Sequence, residues 1–419
     1  MNQVRIDADR LWRRVMDLAA FTRADAPWTR RAFGAEFKAA RAWLEQAYRA
    51  AGLDTHVDAA GNLVGRRPGR RPGLPPLATG SHCDTVAEGG RFDGIAGVLA
   101  GLEIAHCMQE DGHVLEHPFE VIDFLSEEPS DYGVSCVGSR AMAGQLGPQH
   151  LAQAEPGGET LAQAIDRIGG SSAALASADR RSRPNAAFIE LHIEQGPVLE
   201  HHGLPIGVVS HIVGIRRVAL TVHGRPDHAG TTPMDIRRDA LVGAAELIIG
   251  ARRQAEAYQG QPRYVVATIG HMAITPNAAN AVPGSARMTL EVRSDDPAVL
   301  RDFPEKLLAA CQPRLRALQL GADLADLTEA APTACSADVM RQIEQAAADL
   351  GLASKVLPSG AGHDAAYMAA LGPMGMIFVP CRDGRSHCPE EWLEPDQLAH
   401  GAQVLYRTLC RLDQALLPA

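Results

Sequence analysis

No stretch of the sequence reaches the roughly 18 consecutive apolar residues that a membrane-spanning helix requires, so no membrane partner is expected. The opening residues, Met1-Asn2-Gln3-Val4-Arg5-Ile6-Asp7, lack the apolar core of a signal peptide. The eight cysteines are scattered without close pairs. That argues against a disulfide framework or a zinc ribbon and makes a reducing cytoplasm the simplest compartment. Cys83 and Cys388 each adjoin a notable histidine and read as buried small residues. Positive charge is in deficit: the net charge of −10 disfavours nucleic acid or an anionic membrane as a partner. Internal repeats and low-complexity tracts are missing too. What remains is 419 residues with an apolar content of 46%, normal for a globular protein. That length suits two or three domains at about 150 residues each.

The chain is organised around Gly80-Ser81-His82-Cys83-Asp84-Thr85-Val86 and the following Gly89-Gly90-Arg91-Phe92-Asp93-Gly94. The apolar Pro76-Leu77-Ala78-Thr79 reads as the end of a buried strand, and Ile95 to Met108 as a helix. His82 therefore stands where a strand runs out, and Asp93 just before a helix begins. Ligands of open α/β sheets bind at the carboxyl ends of strands. An imidazole and a carboxylate delivered there, with glycines allowing close backbone approach, suit a metal site. Asp84, two residues after His82, is a natural hydrogen-bond partner for the ring nitrogen that faces away from a metal. A polar loop with an ordinary capping Asp is the competing reading of this stretch alone.

Along the chain, helices are expected at Asp7 to Ala20 and at Ala35 to Ala51, the second closed by Gly52. Leu53 to Val57 and Leu63 to Arg67 flank a hairpin turn, and Arg66 to Pro76 reads as a solvated loop. Pro118 to Leu125 is a near-continuous apolar run that suits a strand buried on both faces, and it ends in Ser126-Glu127-Glu128-Pro129. Two adjacent carboxylates there are costly unless paired or metal-bound. Ala187 to Pro197 repeats the device, delivering His192. From about Gly214 the pattern changes to strand, helix, strand, strand (215–224, 235–251, 263–272, 284–293), followed by helix from Asp295 to about Leu318, interrupted near Pro313. Near Ala331 the first pattern returns. A helix is expected at Ser336 to Gly351, a Gly-rich turn at Pro358 to Asp364, and a strand at Pro373 to Pro380 leading to Ser386-His387-Cys388. A last helix is expected at Glu394 to Leu416. The fold class is α/β: a split catalytic domain with a central mixed sheet flanked by helices, residues 1–213 and 332–419, with a smaller α+β domain, residues 214–331, inserted between.

The recurring event is a strand that ends in a metal-capable residue. It yields His82, Asp93, Glu127-Glu128, His192 and His387. Three protein ligands and one open position make a catalytic zinc site, and five ligands can serve two ions if one carboxylate bridges them. One of the adjacent glutamates is then free to act as general base. Independent caps and core histidines are the alternative on spacing alone.

These residues carry a resemblance. GSHCDTV with GGRFDG, the Glu pair, GSRAMAG (138–144), LHIEQGPVLE (191–200), HAGTTPMDIRRDA (228–240), PNAANAVPG (276–284), SGAGHDA (359–365) and SHCPEE (386–391) fall in order through essentially the whole chain. The chain resembles the amidase, hydantoinase and carbamoylase branch of the di-metal aminoacylase and carboxypeptidase family. The resemblance implies two divalent ions per subunit, of Zn²⁺, Mn²⁺, Co²⁺ or Ni²⁺. His82 and His192 would bind one, Glu128 and His387 the other, with Asp93 bridging and Glu127 as the base toward water. It further implies that the inserted domain is a lid and a homodimerisation domain. His228 would reach the site from the other subunit to stabilise an oxyanion. Asn280 and Arg293 would grip a substrate carboxylate, and Gln195 and Gly362 would make further substrate contacts. His363-Asp364 is given no catalytic role.

The implied function is removal of the carbamoyl group from N-carbamoyl-L-amino acids, giving amino acid, CO₂ and ammonia. Allantoate amidohydrolase and beta-ureidopropionase are the nearest alternatives, followed by aminoacylase or dipeptidase activity and by a non-catalytic binding protein on the same fold. One departure stands out. Many relatives follow the Glu pair with Gly-x-Arg-Phe, whereas this chain has Pro129-Ser130-Asp131-Tyr132-Gly133.

Overall fold

The computed structural model describes residues 5–417 and divides the chain into two compact units. One runs to Ser210 and resumes at Cys335; the other is His211–Ala334. In chain order the strands are β1 (Asp54–Val57), β2 (Leu63–Arg67), β3 (Leu77–His82), β4 (Phe119–Phe124), β5 (Ala187–Ile193), β6 (Ile206–Ile212), β7 (Gly214–His223), β8 (Val265–Thr275), β9 (Ser285–Ser294), β10 (Gly321–Ala330), β11 (Thr333–Ala334), β12 (Ser354–Ser359) and β13 (Met374–Val379).

The larger sheet has the order β1-β2-β4-β3-β5-β13-β6-β11, with β12 also paired to β6. Its centre is parallel: β3 pairs with β4 and with β5, and β5 with β13. The flanks are antiparallel, which makes the sheet mixed. β3, β4, β5 and β13 are buried along their whole lengths, as strands covered by helices on both faces must be. Because these four run the same way, the residues that follow them emerge on one edge. Register fixes this closely: His82 lies opposite Phe124, and His192 opposite Phe378.

Helix formation follows local chemistry. Asp7 caps the helix Ala8–Ala19 by accepting the Arg10 N–H, and Leu11, Val15, Leu18 and Ala19 form its buried stripe. The helix Ile95–Glu110 shows little periodicity because it is buried nearly all round. Gly97 permits its close approach to the sheet: a Cβ there would lie 2.2 Å from the Leu191 carbonyl oxygen.

The second unit is an antiparallel sheet, β10-β7-β9-β8, whose core is shared with the helices Ala240–Glu256 and Pro297–Ala317. Three expectations need correction. The second helix runs unbroken through Pro304 and Pro313. β10 falls where no strand was expected. It is a largely exposed edge strand in which Ala and Asp recur and Thr328 is the one β-branched residue, so its sequence carries little strand signal, and its pairing along β7 makes it a strand. The strand β12 was likewise not anticipated within Ser354–Ser359.

A buried ion pair braces the edge that bears the carboxyl ends. Arg41 donates to the Asp123 carboxylate at 2.7 Å and to its carbonyl at 2.6 Å, and also to the Gly61 carbonyl. The Asp123 side chain is fully buried. Asp123→Ala leaves an uncompensated cation inside, and the expected cost is about 3–5 kcal/mol, measured by urea unfolding against wild type.

Candidate metal centre

Four strand ends of the larger unit deliver the side chains. His82 is the last residue of β3, and His192 the last but one of β5. Glu127 and Glu128 follow β4, after Ser126 turns the backbone with a φ of 51°. His387, with a φ of 55°, lies in the loop after β13. Asp93 enters from the loop before the helix Ile95–Glu110.

These residues converge. The ligand atoms of His82, Asp93 and His192 lie within 4.8 Å of one another, as do those of Asp93, Glu128 and His387. Asp93 belongs to both groups through different oxygens. Its Oδ1 is 3.0 Å from His192 Nε2 and 3.7 Å from His82 Nε2, and its Oδ2 is 3.0 Å from His387 Nε2. His387 Nε2 is also 3.3 Å from Glu128 Oε1. Glu127 stands outside both groups, with Oε2 3.7 Å from His82 Nε2. All are buried except His387, which is about half exposed (48%) and marks the open side.

The donor set fits two cations. His82 Nδ1 is 3.0 Å from the Asp84 carbonyl, and His192 Nδ1 is 2.8 Å from the Ile193 carbonyl. Each ring is thereby fixed with Nε2 aimed at Asp93. The carboxylates are buried with imidazoles as ion-pair partners. Burial pushes the Asp93 carboxyl up, but hydrogen bonds from His192 and His387 prevail and hold it well below the usual range. Burial, with Glu128 adding to it, drives Glu127 well above that range. The Asp93 and Glu128 carboxylates raise His387 to about 11. The negative potential that retains a proton so strongly on His387 is the potential that would favour a divalent cation there, with release of that proton.

The remaining candidate residues divide. Asp84 meets His82 through its carbonyl; its carboxylate, 3.6 Å from His82 Nδ1, instead accepts the N–H groups of Glu127 (3.3 Å) and Glu128 (3.2 Å). It orients the Glu pair as well as the histidine. Burial raises its pKa to about 6. Gln195 turns onto the centre itself, donating to Asp93 Oδ2 at 2.8 Å. Gly362 is exposed, with open space where a Cβ would stand. Cys83 is buried, but Cys388 is only partly so, because its loop faces outward after His387.

In the second unit, Asn280 and His228 adjoin. Ala229 N–H donates to the Asn280 carbonyl, and His228 bridges to Ala281. His228 Nδ1 accepts the N–H groups of Gly230 and Thr231, which leaves Nε2 as the donor nitrogen. Arg293 is elsewhere. Segments 224–227 and 282–284 continue the β7–β9 ladder beyond Ser285. Arg293 is eight residues along β9 in the opposite direction, roughly 26 Å away at strand rise. Within one copy, the structure does not bring Arg293 and Asn280 together. Arg293 donates to Glu291 at 2.7 Å.

Several participants were not anticipated. Cys136 Sγ donates to Glu127 Oε1 at 3.4 Å. His363 packs edge-on against the His192 ring at 4.5 Å and contacts Ser359 Oγ at 2.8 Å. Glu190, His192 and His363 form a third group of metal-capable atoms. Its carboxylate is already engaged by the Ser81 hydroxyl (2.7 Å) and the Ala365 N–H (3.0 Å). Ser386 and Glu391 lie behind Asp93. The adjacent acids of SHCPEE were the only sequence signal for Glu391.

Comparison with known proteins places the chain in a family. A curated N-carbamoyl-L-amino-acid amidohydrolase of Paenarthrobacter aurescens is 38% identical over 416 residues, covering 99% of this chain and 100% of that protein. A ureidoglycolate hydrolase of Arabidopsis thaliana is 33% identical, covering 97% and 87%. The crystal structure of an amidase of the hydantoinase/carbamoylase family from Burkholderia multivorans superposes with a TM-score of 0.91 at 34% identity, covering 99% and 100%. The model of peptidase family M20/M25/M40 matches residues 78–411, which span every strand end that builds the centre. The chain therefore belongs to peptidase family M20/M25/M40, on its amidohydrolase side.

Proposed function

We propose that this hydrolase removes the carbamoyl group of N-carbamoyl-L-amino acids. The observation that carries the reading is the Asp93 carboxylate, shared between His82 with His192 on one side and Glu128 with His387 on the other. Two divalent ions held by these groups would supply Lewis-acid polarisation of the ureido carbonyl and acidify water. Mixed imidazole and carboxylate ligation suits Zn²⁺, Mn²⁺, Co²⁺ or Ni²⁺.

The chain's own residues supply the rest. Glu127, outside both ligand groups, accepts the proton of the attacking water and returns it to the departing nitrogen as the C–N bond breaks. Its hydrogen bond from Cys136 and the Asp84 anchor on its backbone fix its direction. His228 donates from Nε2 to the developing oxyanion. Arg293 and Asn280 hold the substrate carboxylate, the planar Arg fork being suited to it. Gln195 and the open backbone at Gly362 make further substrate contacts. The loop departing from the family pattern is tied down by Arg31–Asp131 (2.7 Å) and Tyr132–Glu159 (2.6 Å), and it bears on side-chain preference.

Since Arg293 and Asn280 lie at opposite ends of one sheet, a complete site takes them from two copies of the chain. An apolar face supports a homodimer through this unit. Leu241, Val242, Ile248 and Ile249 are exposed on the helix Ala240–Glu256, and Val266 and Met272 on the edge strand β8. All eight cysteines are free thiols, which suits the cytoplasm. No helix among the described residues is long and apolar enough to cross a membrane.

Allantoate or 3-ureidopropionate hydrolysis is the second reading, and the likeness to a probable allantoate deiminase favours the first of these two substrates. Metal-loaded enzyme is expected to release ammonia from N-carbamoyl-L-amino acids with the highest kcat/KM among ureido acids. No release from any ureido acid refutes the reading. Glu127→Gln is expected to lower kcat by about 10²–10⁴ while both ions stay bound by elemental analysis. His82→Ala is expected to lose one ion per subunit, His387→Ala the other, and Asp93→Ala both. Mixing inactive His228→Ala with inactive Glu127→Gln, followed by subunit exchange, is expected to restore about a quarter of wild-type activity if His228 serves the partner's site. No recovery is expected if it serves its own.

A further inference from the structure

We propose that Glu391 is the positioning residue that aims the shared carboxylate Asp93 and ties it to the loop bearing His387. The inference rests on the two-ion reading above. Glu391 is fully buried, and its two oxygens do separate work. Oε1 accepts three successive backbone N–H groups, of Arg91 (2.9 Å), Phe92 (2.7 Å) and Asp93 (3.1 Å). Consecutive N–H groups converging on one oxygen form an anion-binding nest, here filled by a side chain about 300 residues away in sequence. Oε2 accepts from the Ser386 hydroxyl at 2.7 Å, and Ser386 Oγ lies 3.1 Å from Asp93 Oδ2. Gln195 completes the arrangement, with Nε2 2.8 Å from Asp93 Oδ2 and 3.2 Å from Ser386 Oγ.

Both ends of the link are rigid. Trp392, next to Glu391, packs edge-on against Phe92 at 5.7 Å, and the Arg91 guanidinium lies between Trp28 (4.7 Å) and Trp392 (4.6 Å). Gly90 leaves the room. Its φ is 118°, and a Cβ there would stand 2.4 Å from Glu391 Cδ. Glu391 thus sets where the 91–93 backbone lies, while Ser386 and Gln195 set the rotation of the Asp93 carboxylate. Since Asp93 faces both ligand groups, a disturbance at Glu391 loosens both ions together. Loss of His82 or His387 alone does not.

The test compares wild type, Glu391→Gln, Glu391→Ala and Gly90→Ala. Divalent-ion affinity is measured by competition with a chromophoric chelator using Zn²⁺ and Mn²⁺, ion content by elemental analysis, and folding by circular dichroism and thermal melting of the metal-free proteins. Glu391→Ala is expected to weaken both ions about 10–100-fold with the fold retained, and saturating metal is expected to recover most of kcat. Glu391→Gln keeps an oxygen for the three N–H groups and is expected to lose less. Gly90→Ala, which displaces Glu391 without altering it, is expected to match the alanine variant. Should Glu391→Ala fail to fold, the glutamine and Gly90 variants carry the comparison. Wild-type affinity for both ions in the folded variants overturns the proposal, as does loss of one ion only. Absence of divalent-ion binding by wild type overturns the two-ion reading itself, and this inference with it.

Discussion

A single buried carboxylate set between two groups of side chains, His82 with His192 and Glu128 with His387, is the constraint on which the larger unit depends. Asp93 carries its charge where burial opposes it, and imidazoles at 3.0 Å on both of its oxygens make that charge tolerable. Everything nearby serves to bring those imidazoles to it. Parallel strands do this efficiently, because their carboxyl ends open on one edge and register places neighbouring residues level with one another. His82 and His192 need no loop to reach the centre, and a backbone carbonyl behind each ring sets its tautomer.

The ligands beyond the strand ends need more help. Non-glycine residues with positive φ cluster here: Ser126 before the Glu pair, Cys136 behind Glu127, Gln195 after β5, and His387 itself. Such backbone costs of order 1 kcal/mol or more each and persists only where surroundings over-determine it. Those surroundings are visible. Asp84 accepts two N–H groups of the Glu pair, and Glu391 accepts three from the Asp93 loop. Carboxylates outside the two candidate ligand groups therefore shape the backbone that presents those within them.

The smaller unit follows a different logic. Its sheet is a rigid antiparallel platform with functional candidates at opposite ends, His228 and Asn280 beyond Ser285 and Arg293 at the other extremity. A platform of this kind cannot close on one small substrate with both ends. In the proposed dimer it would serve two sites at once, with the exposed apolar residues of its helix and edge strand at the interface.

The continuous apolar runs at 118–125 and 187–193 announced buried strands, and the residue types at their ends announced candidate ligands, because strand burial and ligand chemistry are both local properties. The mixed central sheet and most helices were legible for the same reason. β10 was not, since an exposed edge strand of small and acidic residues is made by its partner. Nor were the positions of Glu391, Ser386 and Cys136, whose roles depend on contacts across up to about 300 residues of chain. The sequence by itself determined the candidate ligand set, the strand ends that carry it and the presence of an inserted layer. Only the tertiary structure decided that Asp93 faces two groups through separate oxygens, that Asp84 holds the Glu pair, and that Arg293 and Asn280 lie apart. Direction in space is set by packing and register, which no local pattern encodes.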